Sequence, residues 1–265
     1  MRWPELGAAG AFAALGWRRT AADRAGSLGR LALYVLILFI FWALWQATPV
    51  SELGRPDLDA ARLFWYMVVT EAVTIAVGFP YRAVEDDIRS GQIAAAMTRP
   101  VPYALATLAE WLGACGHRLL LLVMAGLAAG AWMTGTVAVS PAAAPAILLS
   151  AAIGCIIALL CQLQLGYMAA WVGSPAPLFW IWQKMTFVLG GLMLPLSLYP
   201  EPFGRWAAAS PFAAILFAPG SLVLDPSPGA IGSALASQLL WLAPVALATL
   251  LVERAAAARF AERGV

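Results

Sequence analysis

The chain has 265 residues, of which 62% are hydrophobic and 11% charged, with a formal net charge of +2 and a mean hydropathy of +0.81. A water-soluble surface needs far more charge than this, and a balance so close to neutral gives no footing for nucleic acid. Apolar stretches of roughly 17 or more residues recur, each long enough to cross about 30 Å of hydrocarbon, so the composition specifies an all-α, polytopic membrane protein.

The first 30 residues hold five arginines and no A-x-A site follows them, so no cleaved leader is expected. Within them, residues 6–24 (LGAAGAFAALGWRRTAADR) read as a helix with an apolar face and a basic end, suited to lying along a membrane surface. Six spans follow, at about 31–46, 62–80, 119–136, 146–172, 178–196 and 236–252. Residues 47–61 form a short polar loop, and residues 81–118 form the largest polar insertion, with an interfacial helix around Tyr103–Arg118. Residues 197–235 are apolar yet carry Pro200, Pro202, Pro211, Pro219, Pro226 and Pro228, a density that breaks helices into short pieces. Such pieces at membrane depth must be buried in protein or line a cavity.

Orientation follows from the flanking arginines. With the N-terminus in the cytoplasm, Arg2, Arg18, Arg19, Arg24, Arg30, Arg82, Arg89, Arg99, Arg118, Arg254, Arg259 and Arg263 fall inside, against Arg55, Arg62 and Arg205 outside. Both termini are therefore expected in the cytoplasm and the chain in the inner membrane of a bacterium. Tryptophans agree: Trp42, Trp45, Trp65, Trp132 and Trp241 fall at outer ends, and Trp171, Trp180 and Trp182 at inner ends, as in aromatic belts.

Several chemistries lack their residues. There is no GxxxxGK[ST] phosphate loop, GxGxxG turn, HExxH helix or GxSxG elbow, so no nucleotide site and no catalytic residue is expected in this chain. Cys115, Cys155 and Cys161 show no metal-ligand spacing and read as small packing residues, and the single histidine, His117, cannot build a metal cluster alone. Polar side chains inside the spans are few. Glu71 lies about 12 Å from the inner end of its span and Lys184 about 9 Å, similar depths that permit an ion pair; that pair, or a protonated Glu71 against Thr70 or Thr74, would hold helices together, and the functional alternative is that Glu71 lines the substrate path or the dimer seam. Gln162 and Gln164 stand two apart on one helix and face different directions, so at most one points into a pathway and the other bonds across helices. Gly126 and Gly130 form a small-xxx-small pattern suited to tight helix packing.

The insertion after the second span reads EDDIRSGQIAAAMTRP over residues 85–100. Glu85, Asp86 and Asp87 favour the start of a short helix, Gly91 can end it, and Pro100 forces an extended exit. Composition alone leaves two readings open, a compact projecting knob or a solvated loop.

The stretch DDIRSGQIAAAMTRPVPY resembles the D-I-R-x-G-x-(apolar or small)-x-R-P pattern found after the second span of type-two ABC export permeases. GGLMLPLSLYPEPFGRWAAASPFAAILFAPGSLVL, residues 190–224, is similar to that family's fifth span and the broken outer helices behind it. The resemblance implies a transmembrane permease subunit whose knob is a coupling helix docked in a groove of a separate ATPase. Glu85, Asp86, Asp87, Ile88, Arg89, Ser90, Gly91 and Arg99 would be the docking residues, with Ile88 as an apolar tip. It also implies two ATPase copies that use ATP and Mg, and a second permease subunit, identical or paralogous, in contact with membrane lipids. Two other classes share this composition: a polytopic membrane enzyme acting on a lipid-like substrate, and a secondary transporter using Glu71 and Lys184 as a proton site. The first lacks convergent carboxylates and histidines, and the second lacks an inverted repeat.

Overall fold

Two of the long helices start on an aspartate placed before an apolar run. Asp23 accepts a hydrogen bond from the Gly26 amide at 2.9 Å, and Asp59 accepts one from the Arg62 amide at 2.7 Å, each satisfying a donor that a helix N-terminus leaves open. The structure, a computed structural model, describes residues 3–50, 58–93 and 101–262, among which there is no strand. Helix α1 spans Trp3–Ala22, α2 Arg24–Ala47, α3 Ala60–Val77 and α4 Pro80–Arg89. Then come α5 (Tyr103–Thr134), α6 (Ala144–Tyr167), the single turn α7 (Ala169–Val172) and α8 (Ala176–Leu189). The proline-rich segment forms a 3-10 turn at Leu196–Leu198 and three short helices, α9 (Phe203–Ala208), α10 (Pro211–Ile215) and α11 (Phe217–Leu224), before α12 runs from Pro228 to Glu262.

Five stretches are long and apolar enough to cross a membrane: Arg24–Ala47, Ala60–Arg89, Tyr103–Thr134, Ala144–Val172 and Pro228–Arg259. The remaining expected span, 178–196, is occupied by α8, whose 14 residues rise about 21 Å. It stops because Gly190 and Gly191 follow, the latter at φ 67°, and because Leu192 and Gly191 carbonyls are drawn sideways onto α3 by Thr70 and Tyr66. The expected interfacial helix at 103–118 and the third span at 119–136 are one continuous helix, α5, since no proline or left-handed residue interrupts residues 103–134. The first helix does not lie alone on a surface. It packs along the first half of α5, where Gly16 and Gly113 let the two backbones meet: a Cβ at either would fall 1.8 Å from a carbonyl oxygen of the other helix. Arg19 closes this pair on Glu110 at 2.5 Å.

At the centre lie α3 and α6. Phe64, Trp65, Tyr66, Met67 and Val73 of α3, with Ile157 and Leu159 of α6, are buried, and α2, α5 and α11 pack around α3 while α12 covers α6. Gly126 and Gly130 give α5 its close approach, the first against Tyr34 and Val68 and the second against the Trp65 ring. Two of the expected belt tryptophans, Trp45 and Trp65, are therefore core residues, whereas Trp132 and Trp180 are exposed. Cys115 and Cys155 are buried free thiols in the same core, and Cys161 is half-buried.

Candidate functional site

Two features stand at one end of the helix bundle: the helix α4 and, immediately above it, a cavity. Their junction is Gly78 (φ 70°), which breaks α3 from α4, and Pro80, whose fixed φ preorganises the first turn of α4. The helix thus starts five residues ahead of Glu85, and the acidic cluster occupies its middle rather than its start. Gly91, at φ 75°, lies just beyond its end.

The expected docking residues separate into two faces. Asp86, Arg89 and Ser90 are exposed, together with Arg82 and Gln92. Glu85 is buried and receives Arg89 at 3.3 Å. Asp87 accepts a 2.6 Å hydrogen bond from the Tyr103 hydroxyl, which ties α4 to the start of α5. Ile88 is not a projecting tip: it packs inward on a small apolar cluster containing Val84, Ile93, Leu163, Tyr167 and Ala256, because the inner face of this helix of nearly three turns must cover α6. Arg99 lies outside the described residues.

The inner face holds α4 to α5, α6 and α8, and the last helix, α12, ties down the elements beside it. Val84 sits against Gly166 of α6, where a Cβ would fall 2.6 Å from the valine Cβ. Tyr81 stacks on Phe179 of α8 with ring centroids 4.2 Å apart. Glu253 of α12 accepts the Ala104 amide at 2.9 Å, capping α5, whose own N-cap Pro102 offers no side-chain bond. Arg259 donates to the Ala170 carbonyl at 2.8 Å. Sequence reasoning passed over Tyr103, Tyr81, Phe179 and Glu253; the tyrosine following the R-P pair and the lone acid late in the last span were the available signals.

The cavity, of about 580 Å³, lies between α2, α3, α5, α6 and α8. Its polar wall includes Arg30, Glu71, Thr74, Arg118, Gln162 and Gln183, set among aromatic side chains. Gln162 donates to the Gly78 carbonyl at 3.0 Å, whereas Gln164 faces the other way and donates to Val245 O and Thr249 Oγ1 of α12, each at 3.0 Å. Arg118 reaches the last carbonyls of α3, at Ala76 and Val77, at 3.4 Å and lies over the Trp111 ring.

Glu71 and Lys184 do not meet. Glu71 is buried and faces the cavity, while Lys184 is exposed on the outer face of α8 with its ammonium 5.4 Å from the Phe187 ring centroid. Equal depth left the rotation of each helix undetermined, and rotation separates them. Nor do the neighbouring threonines serve Glu71. Thr70 donates to Leu192 O at 2.8 Å and Thr74 to Thr70 O at 2.9 Å.

A second cavity of about 650 Å³ lies at the opposite end, between α3, α11 and α12, and is lined by Arg62, Ser197, Ser221, Asp225, Ser233 and Ser237 among others. Here the Ser227 amide and hydroxyl hold the Asp225 carboxyl below the usual carboxylate range. Among the described residues, no group of three histidine, cysteine or acidic side chains is placed to hold a metal ion.

A family model described as "ABC-2 family transporter protein" matches residues 31–264, from the third turn of α2 through α12. No curated protein and no solved structure matches the chain.

Proposed function

The chain belongs to the ABC-2 family of transporter proteins, and from that premise we propose that it is the permease subunit of an ATP-driven exporter, moved by a separate ATPase that binds ATP and Mg. The observation that carries this reading is α4. Its outer face offers Arg82, Asp86, Arg89 and Ser90 to a partner, while its inner face is fastened to α5, α6 and α8. A force on so short and well-anchored a helix is passed to the helices that wall the cavity instead of being absorbed by a loop. Two arrangements of those helices, open to one side or the other, can then be biased by whether the ATPase grips or releases α4.

In this reading both termini and α4 face the cytoplasm, in keeping with the arginine distribution, and the inner membrane of a bacterium is the setting. A sixth crossing is completed by α8 together with the broken pieces from Leu192 to Leu224, whose backbone is covered by α3, α6 and α12 as irregular structure at membrane depth requires. Two copies of the ATPase and a second permease complete the assembly, with the exposed apolar faces of α2 and α8 available to the second permease or to lipid. The secondary-transporter reading drew on a Glu71–Lys184 site, and those side chains stand apart.

The test is co-purification after gentle solubilisation, followed by ATPase assay of the complex. An ATPase subunit is expected to accompany the chain, and Asp86→Ala with Arg89→Ala is expected to lower the complex's ATPase rate by about tenfold, a loss of roughly 1.4 kcal/mol of coupling. Recovery of no ATPase, or a rate unmoved by the double variant, refutes the proposal.

A further inference from the structure

The wall of the cavity between α2, α3, α5, α6 and α8 carries three ionisable side chains, Arg30, Arg118 and Glu71, in unequal surroundings. Arg30 reaches Asp23 at 3.5 Å and the Ser27 hydroxyl at 3.2 Å. Arg118 rests through one guanidinium nitrogen on the C-terminal carbonyls of α3, the negative end of that helix, and lies over the Trp111 face, while its buried Nε has no partner. Glu71 alone makes no hydrogen bond and no ion pair with any described residue, although it is only 5% exposed. The hydroxyls within reach of it along the chain are committed elsewhere: Thr70 to Leu192 O, Thr74 to Thr70 O, and Tyr34, on the adjoining helix, to Val68 O. An uncompensated carboxylate in a membrane interior is costly, and the cost is relieved by a proton or by a counter-charge. The space in front of it is walled by Phe41, Trp182 and Phe187, and aromatic faces attract cations by their negative quadrupole. The volume, about 580 Å³, falls within the roughly 300–1,000 Å³ of small-molecule sites.

We propose that this cavity binds a lipophilic organic cation, with Glu71 as its counter-charge and the aromatic wall as its seat. The inference rests on the transport reading only in naming the substrate class of the same cavity; the binding itself needs no ATPase. A cation carrying apolar rings leaves water at low cost and finds in Glu71 the one acid on the wall, with no described hydrogen-bond or ion-pair partner.

The experiment compares tetraphenylphosphonium with its isosteric anion tetraphenylborate on the full chain in nanodiscs, without any ATPase, by equilibrium dialysis against empty nanodiscs. Saturable phosphonium binding at least tenfold tighter than borate binding is expected, and Glu71→Gln is expected to weaken phosphonium binding at least tenfold with little effect on borate. Equal binding of the two ions, tighter binding of borate, or phosphonium affinity unchanged in Glu71→Gln overturns the proposal. The sign comparison on the unaltered chain needs no variant to fold. Absence of phosphonium binding in a chain that still drives an ATPase overturns the cation site alone, and phosphonium binding in a chain that recruits no ATPase supports the site while refuting the permease reading.

Discussion

Helices α2 and α3 lie side by side and differ in the opposite sense from helices of a soluble protein. The span containing α2 has the higher mean hydropathy, 2.1 against 1.5, yet 11% of it is buried inside the protein compared with 72% for the span containing α3. In water the more apolar helix goes inside. In a bilayer the solvent is itself apolar, so large aliphatic side chains gain little by leaving it, and association is driven by close packing and by hydrogen bonds between helices. Helix α3 accordingly carries Thr70, Glu71 and Thr74 and four fully buried large residues from Leu63 to Tyr66, whereas α2 turns Leu33, Leu36, Phe39 and Ile40 outward. Its inward contacts are few: Tyr34, Leu38 and Trp45.

Three substitutions sharpen this contrast. Trp65→Ala on α3 removes a ring that fills the space left by Gly130, and is expected to cost about 3–5 kcal/mol in unfolding free energy measured by denaturant titration in mixed micelles. Tyr34→Phe on α2 leaves the packing but deletes the 2.7 Å bond to the Val68 carbonyl, an expected loss of about 1 kcal/mol in the same titration. Phe39→Ala, on the outward face of α2, is expected to change stability by no more than about 0.5 kcal/mol while lowering only the affinity for lipid or a second subunit. A Phe39 effect as large as that of Trp65 in the isolated chain would erase the distinction between the two helices.

This contrast also explains what could be read beforehand. Class and approximate spans follow from hydropathy, which tracks the bilayer: residues 146–172 were expected and 144–172 observed. The Gly91 stop was legible because only the left-handed conformation of glycine ends the helix there so compactly. What hydropathy cannot carry is rotation about the helix axis. Both faces of α8 are apolar, so nothing in its sequence said that Lys184 points away from Glu71. The start of α4 was missed for another reason. Three acids in a row looked like an N-terminal turn, yet Pro80 two residues after Gly78 is the stronger signal, fixing the backbone rather than merely complementing its dipole. Arg118 misled in the same way, since its charge suggested a membrane boundary while it in fact lies along an unbroken helix and satisfies carbonyls of α3.

The cap that Glu253 places on α5 has a consequence in time. The donor and its acceptor are 149 residues apart, so at a synthesis rate of roughly 5–20 residues per second the first turn of α5 waits on the order of ten seconds or more for its partner to leave the ribosome. Through that interval the amide of Ala104 has water or a headgroup for company, and the tie between α5 and the last helix does not exist. Closure of this end of the bundle is therefore among the last events in the protein's biogenesis, and Asp87 acquires its fully braced Tyr103 partner only after nearly the whole chain has been made.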